Sequence, residues 1–162
     1  EKAKDFLRKA FTIIFVASII IWFLQSFDFA FNFVEDSSTS MLANIGTWIS
    51  HIFAPLGFED WRASTALVTG ITAKESVVST LSVLTNTTSD AGLSVALQTI
   101  FSPVSAFAFL CFTVLYMPCV AAFAATKREL GSMKQALATV AYQTGVAYVV
   151  ALLVYQIGSL LF

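Results

Sequence analysis

The sequence predicts an all-α fold: a polytopic helical membrane domain with broken or re-entrant helices, read as a single domain over residues 1–162. Three observations carry this. Of the 162 residues, 57% are hydrophobic and only 12% charged, with a mean hydropathy of +0.80; an average soluble domain carries about 25% charged residues. The charges fall almost entirely between long apolar stretches. One of those stretches, however, holds the adjacent charges Lys74 and Glu75. A charged side chain at bilayer depth costs roughly 2.5–3.5 kcal/mol on insertion scales, so such a pair needs a wet cavity, a partner or a break in the helix.

The elements follow in order. Phe6 to Phe27 is long enough for the ~20 residues a spanning helix needs, and carries Trp22 near its far end. Met41 to Phe58 reads as a short amphipathic helix (Leu42, Ile45, Ile49, Ile52, Phe53) stopped by Pro55 and Gly57, a length that suits an interfacial or re-entrant piece. Ala63 to Leu84 is interrupted by Gly70 and by Lys74–Glu75. Leu93 to Phe101 is a second short piece, Pro103 to Thr126 is interrupted by Pro118, and Gln135 to Phe162 is the longest apolar stretch. Asp36 to Ser40 and Thr85 to Asp90 read as polar loops. The small-residue pairs Ala66/Gly70 and Ala141/Gly145 allow close helix packing.

The net charge of −1 hides a segregation along the chain. Lys2, Lys4, Arg8 and Lys9 cluster at the start of the first apolar stretch, an acidic loop with Asp28, Glu35 and Asp36 follows it, and Lys127, Arg128 and Lys134 form a second basic cluster. The excess of Lys and Arg on cytoplasmic flanks places both basic clusters inside, the 28–40 loop outside, and Phe162 outside. Three apolar stretches separate the two clusters, yet an even number of crossings is required. Either Met41–Phe58 also crosses, or Ala63–Leu84 enters and returns as a hairpin turning near Gly70 to Glu75. The hairpin also accounts for the charges, because non-helical backbone is tolerated at membrane depth where it lines a cavity.

Two places hold residues with ion chemistry. Around Gly70–Glu75, an unwound backbone and a half-helix end could meet an ion; the plainer reading has Lys74 snorkelling to an interface and Glu75 in a structural pair. At Met117–Pro118–Cys119, the proline removes an amide donor and leaves the carbonyl of Val114 without its helical partner. Thiolate and thioether suit softer metals and carboxylate harder ones, so Cys119, Met117 and Glu75 together form a candidate set for a divalent first-row ion. The plainer reading makes Cys119 a small core residue beside an ordinary proline kink. His51, the only histidine, reads as an interfacial hydrogen-bonding residue. Asn86-Thr87-Thr88 matches a glycosylation sequon, a pattern common by chance.

Several functions are excluded. There is no concentrated basic face for nucleic acid, and no GxxxxGK[ST], HExxH, GxSxG or CxxC motif, so no enzyme activity is expected of this chain. Cys111 and Cys119 lie in one apolar stretch and are not expected to form a disulfide framework. No signal-peptide cleavage site follows the first stretch, and the opening Glu1 reads as the start of a piece of a longer polypeptide.

The stretches PLGFEDWRASTALVTGITAKESVVSTLSVL (Pro55 to Leu84) and LYMPCVAAFAATKRELGS (Leu115 to Ser132) resemble the bacterial ferrous iron transport protein B (FeoB) family, in the second of its two Gate membrane regions. The opening DFLRKAFTIIFVASIIIWFLQSF looks like the span that begins that region, so the resemblance covers essentially the whole chain. It implies Fe(II) transport across the bacterial inner membrane by a multi-pass protein, with Cys119 and Glu75 on the iron path. GTP would be bound by an N-terminal cytosolic domain absent here along with the first Gate region. Small accessory Feo proteins and a homo-oligomer are further partners the resemblance allows, besides the lipid bilayer. Relatives that continue after the last helix imply a possible truncation at Phe162. The alternatives are a Gate-type carrier of a nucleoside-like or other small molecule, and a structural membrane module.

Overall fold

The computed structural model describes residues 2–34, 37–74, 76–87, 89–116 and 119–161; Glu1, Glu35, Asp36, Glu75, Thr88, Met117, Pro118 and Phe162 lie outside them. Among the described residues the chain is helical, with a single isolated bridge between Phe27 and Phe33 and no strand.

Helix α1 (Lys2–Ser26) presents Phe15, Ile19, Ile20 and Trp22 outward, the pattern of a helix facing lipid. The chain then doubles back, so that the Met41 amide donates to the Phe27 carbonyl at 3.0 Å. Ser40 caps α2 (Met41–Ser50), its hydroxyl accepting from the Ala43 amide at 3.1 Å. Pro55 falls in the 3-10 turn His51–Leu56, and Gly57 follows at φ 78°, where a Cβ would also enter the ring of Tyr155. Asp60 caps α3 (Trp61–Gly70) through the Arg62 amide at 2.7 Å.

The predicted interruption of Ala63–Leu84 is present: α3 ends at Gly70 and α4 (Ser76–Leu84) begins after it. The Thr69 and Thr80 hydroxyls lie 2.9 Å apart, whereas eleven residues of continuous helix would separate them by about 16 Å. The chain therefore turns back on itself as a hairpin. Helix α2 has 10 residues, about 15 Å and half the hydrocarbon thickness, so it is too short to cross. The interruption of Ala63–Leu84 thus takes the form of a hairpin between α3 and α4.

Helices α5 (Asp90–Ile100) and α6 (Pro103–Leu115) follow, capped by Ser89 and Ser102, with Pro103 in the first turn where its missing amide costs nothing. After α6 come α7 (Val120–Leu130), closed by Gly131 at φ 64°, and α8 (Met133–Leu161). Taken as one stretch, Pro103–Leu130 is long and apolar enough to cross a membrane, as is α8, although the first is divided into two helices around residues 116–119. Helices α6 and α8 run antiparallel, with Val104 against Gly158 and the basic residues Lys127, Arg128 and Lys134 around the other end.

The core is an aromatic column. Phe53, Phe58, Phe109, Phe112 and Tyr116 pack ring to ring, with Phe58 edge-on to Phe109 at 5.4 Å and Phe112 stacked on Tyr116 at 5.4 Å. Ala63, Ala66, Leu67, Val77 and Leu81 from the hairpin close one side, and Ala147 and Ala151 of α8 another. Of the two small-residue pairs, Ala66/Gly70 packs as expected. Ala141 and Gly145 do not: both are exposed, and a Cβ on Gly145 would meet nothing within 4 Å.

Candidate functional site: where two interrupted helices meet

The two interruptions are far apart in sequence and adjacent in space. The first amide of α7, Val120, donates to the Ile71 carbonyl just beyond α3 at 2.9 Å. From the end of α6, the buried Tyr116 hydroxyl donates to the Leu67 carbonyl at 3.1 Å. Gly70 makes room for this, since a Cβ there would collide with that hydroxyl and with Val77. Helix ends leave carbonyls and amides without intrahelical partners, and here each break supplies partners for the other.

Lys74 completes the joint. Its Nζ donates to the Val114 carbonyl at 2.9 Å and to the Tyr116 carbonyl at 3.3 Å, and lies 4.9 Å from the centre of the Tyr116 ring. Val114 lies in the last turn of α6, whose final carbonyls have no intrahelical partner. The ammonium takes the place of that missing partner, at a helix C-terminus where a cation is favoured, with the ring face adding a cation–π contribution. The Lys74 charge is thus held at the opposite break. The freed carbonyl was evident from the sequence, but nothing in a one-dimensional pattern names a partner forty residues away.

Cys119 is the N-cap residue of α7, half-buried, with a free thiol that makes no capping hydrogen bond. It immediately precedes Val120, whose amide makes the bond to Ile71. The other two members of the candidate ion set, Glu75 and Met117, lie outside the described residues. Among the described residues no group of three or more His, Cys, Asp and Glu side chains could hold a metal ion. Cys111 is also free, on α6. His51 is exposed, its Nδ1 2.8 Å from a Glu59 carboxylate oxygen. A mostly apolar cavity of about 620 Å³ opens between α4, α5 and α6, with Lys74 at its edge.

A family model described as "Gate: Nucleoside recognition" matches residues 7–133, most of the chain. The chain belongs to the Gate family. Curated relatives of this Gate chain include the Fe(2+) transporter FeoB of Methanocaldococcus jannaschii, 43% identical over 100% of this chain, and that of Staphylococcus aureus (strain COL), 41% identical over 99%. An Fe(2+) transport protein A/Fe(2+) transporter FeoB fusion protein of Porphyromonas gingivalis is 31% identical over 100% of it. The Gate chain spans about a quarter of the length of these relatives: 25%, 24% and 25%. No solved structure matches it.

Proposed function

We propose that this chain is the membrane-spanning second Gate region of an Fe(II) uptake transporter, and that the joint between its two interrupted helices lies on the ion path. The observation that carries this is the hydrogen bond from Val120 to Ile71, which ties the start of α7, where Cys119 stands, to the break that contains Lys74 and, in sequence, Glu75. Paired half-helices whose ends supply ion-binding groups near the membrane midplane are a recurring transporter arrangement. Fe(II) is the cargo; Cys119, Glu75 and Met117 serve as transient contacts, because conduction needs several weak sites rather than one tight one. The relatives named Fe(2+) transporter FeoB support this choice of ion.

In this reading the protein sits in the bacterial inner membrane as a multi-pass domain, with the α1 start and the 127–134 segment cytoplasmic and the Phe162 end outside. The chain is not itself an enzyme. Its partners are the first Gate region, a cytosolic domain that binds GTP, and an A-type accessory protein such as the one fused to the P. gingivalis relative. A nucleoside-like carrier is the weaker reading. The 620 Å³ cavity is mostly apolar, with Lys74, Gln98, Ser102 and Thr113 in its lining, but the curated relatives are named Fe(2+) transporters, which favours the ion reading.

The test is Fe(II) uptake by cells carrying the intact protein as Cys119→Ser or Glu75→Gln. Each substitution is expected to lower uptake while expression and membrane insertion stay intact. Full uptake in both variants would remove the joint from the ion path.

A further inference from the structure

The residues that follow α1, Phe27 to Val34, carry a phenylalanine at every second position. Phe29, Phe31 and Phe33 are 64%, 69% and 68% exposed, and a contiguous apolar patch of this kind marks contact with a membrane or a partner. The turn that presents them is well tied together. Phe27 and Phe33 pair as an isolated bridge, the Asp28 amide donates to the Asn32 carbonyl at 3.1 Å, the Phe31 amide to the Asp28 carbonyl at 2.8 Å, and the Val34 amide to the Ser26 carbonyl at 2.9 Å. Phe23 stacks on Phe27 at 4.7 Å and stands 6.2 Å from Phe31, so the rings fasten the turn to the end of α1.

Phe31 has a left-handed φ of 59°. A bulky residue rarely adopts that region, whereas Asn or Gly enters it at little cost. The sequence holds a strained phenylalanine there with Asn32 as its neighbour. Such an outlier points to what the side chain does rather than to the stability of the turn itself.

Three observations select lipid as the partner. First, α1 presents Phe15, Ile19, Ile20 and Trp22 outward, and Trp22 meets Phe27 edge-on at 6.5 Å, so the lipid-facing side of α1 continues into the turn. Second, helices that seat a partner helix in a bilayer do so through small residues that let backbones approach; this patch is made of bulky rings, which suit acyl chains. Third, the turn is equipped to leave water. Its only charge, Asp28, folds its carboxylate onto the Phe29 amide at 2.5 Å. With the bonds above, the amides of Asp28, Phe29, Phe31 and Val34 are all paired within the turn and the end of α1, as backbone at membrane depth requires.

We propose that the Phe27–Phe33 turn is a membrane anchor, a wedge of three phenylalanines seated in the boundary between lipid headgroups and acyl chains. The Met41 amide donates to the Phe27 carbonyl at 3.0 Å, and Gly46 of α2 lies against Trp61 and Thr65 of α3. The depth of the turn is thereby passed to α2 and on to the hairpin. The anchor rests on the membrane placement proposed above, but not on the iron path or on which leaflet the turn meets.

The experiment uses the intact protein in lipid nanodiscs, with its native cysteines replaced and a nitroxide attached at Ala30→Cys. That position sits between Phe29 and Phe31 and leaves every ring in place; the same label at Ser38→Cys is the comparison. Relaxation of the label by oxygen, which concentrates in lipid, is set against relaxation by a water-soluble nickel chelate. We expect the label at 30 to respond to oxygen and not to the chelate, from a depth of about 5–10 Å into the headgroup–acyl boundary, and the label at 38 to respond to the chelate. A chelate response at 30 equal to that at 38 would leave the turn in water. A response to neither reagent would mean that protein covers it, a second copy or another region. Either result overturns the anchor. Phe31→Asn separates anchoring from packing, because Asn tolerates the left-handed backbone. The unfolding midpoint in detergent should hold or rise while the label at 30 becomes accessible to the chelate. A lower midpoint with the label's depth unchanged would make Phe31 a packing residue against Phe23 and overturn the wedge. Failure of the protein to enter nanodiscs at all would overturn the membrane placement, and the anchor with it.

Discussion

Replacing Lys74 with Met tests the joint most selectively, because it keeps side-chain length and removes the ammonium. Three contacts are lost: a charged hydrogen bond to Val114 at 2.9 Å, a longer one to Tyr116 at 3.3 Å, and the ring contact at 4.9 Å. A hydrogen bond to a charged group is worth about 1.5–3 kcal/mol when well made, and a cation–π pair about 0.5–1 kcal/mol at an exposed site. Lys74 is only half-buried, so the total is discounted to about 2 kcal/mol. Since 1.4 kcal/mol is a factor of ten, local opening should become about thirtyfold more frequent. Hydrogen–deuterium exchange of the intact protein reads this at the Val120 amide, which bridges the two breaks. We expect Val120 exchange to accelerate by that factor in Lys74→Met and to stay unchanged in Lys127→Met, whose exposed residue is in the last turn of α7. Unchanged exchange at Val120 in Lys74→Met would refute the claim that the ammonium holds the joint together.

Tyr116→Phe removes a buried hydrogen bond to the Leu67 carbonyl and should destabilise the joint by about 1–3 kcal/mol, visible as faster exchange in the last turn of α3. Gly57→Ala combines a left-handed φ of 78° with a clash against Tyr155; it should cost more than the ~1 kcal/mol typical of that backbone strain alone, read as a lower unfolding midpoint. Cysteines placed at Ser38 and Ser132 should label with an impermeant reagent from opposite sides of the membrane, and labelling of both from one side would overturn the orientation.

Much of the fold was legible because membrane segments announce themselves by length and composition. The hairpin was legible for a different reason: Gly70, Lys74 and Glu75 have no comfortable place in one continuous span, and the crossing count demanded an extra turn. The caps Ser40, Asp60 and Ser102 went unmarked, although each is a residue type that accepts from a helix's first amides. The site was half legible. The proline pointed to an unpartnered Val114 carbonyl, but that Lys74 meets it is a tertiary matter no local pattern carries. Tyr116 went unmarked, since a tyrosine at the end of an apolar stretch looks like any interfacial aromatic. The contact between the two arms of the hairpin was equally hidden. Ser and Thr are common in membrane helices, and only the folded-back hairpin brings Thr69 and Thr80 within 2.9 Å. Ala141/Gly145 shows the converse, a packing motif with no partner helix among the described residues.

The central claim, that Fe(II) passes Cys119 and Glu75 at the joint, is tested most directly by the reactivity of the thiol itself. In the intact protein carrying Cys111→Ser, alkylation of Cys119 is followed anaerobically with and without Fe(II). The account predicts that Fe(II) slows alkylation of Cys119 in a concentration-dependent way, and that Glu75→Gln removes this protection without changing the rate in the absence of metal. Alkylation of Cys119 at one rate whether or not Fe(II) is present would contradict it.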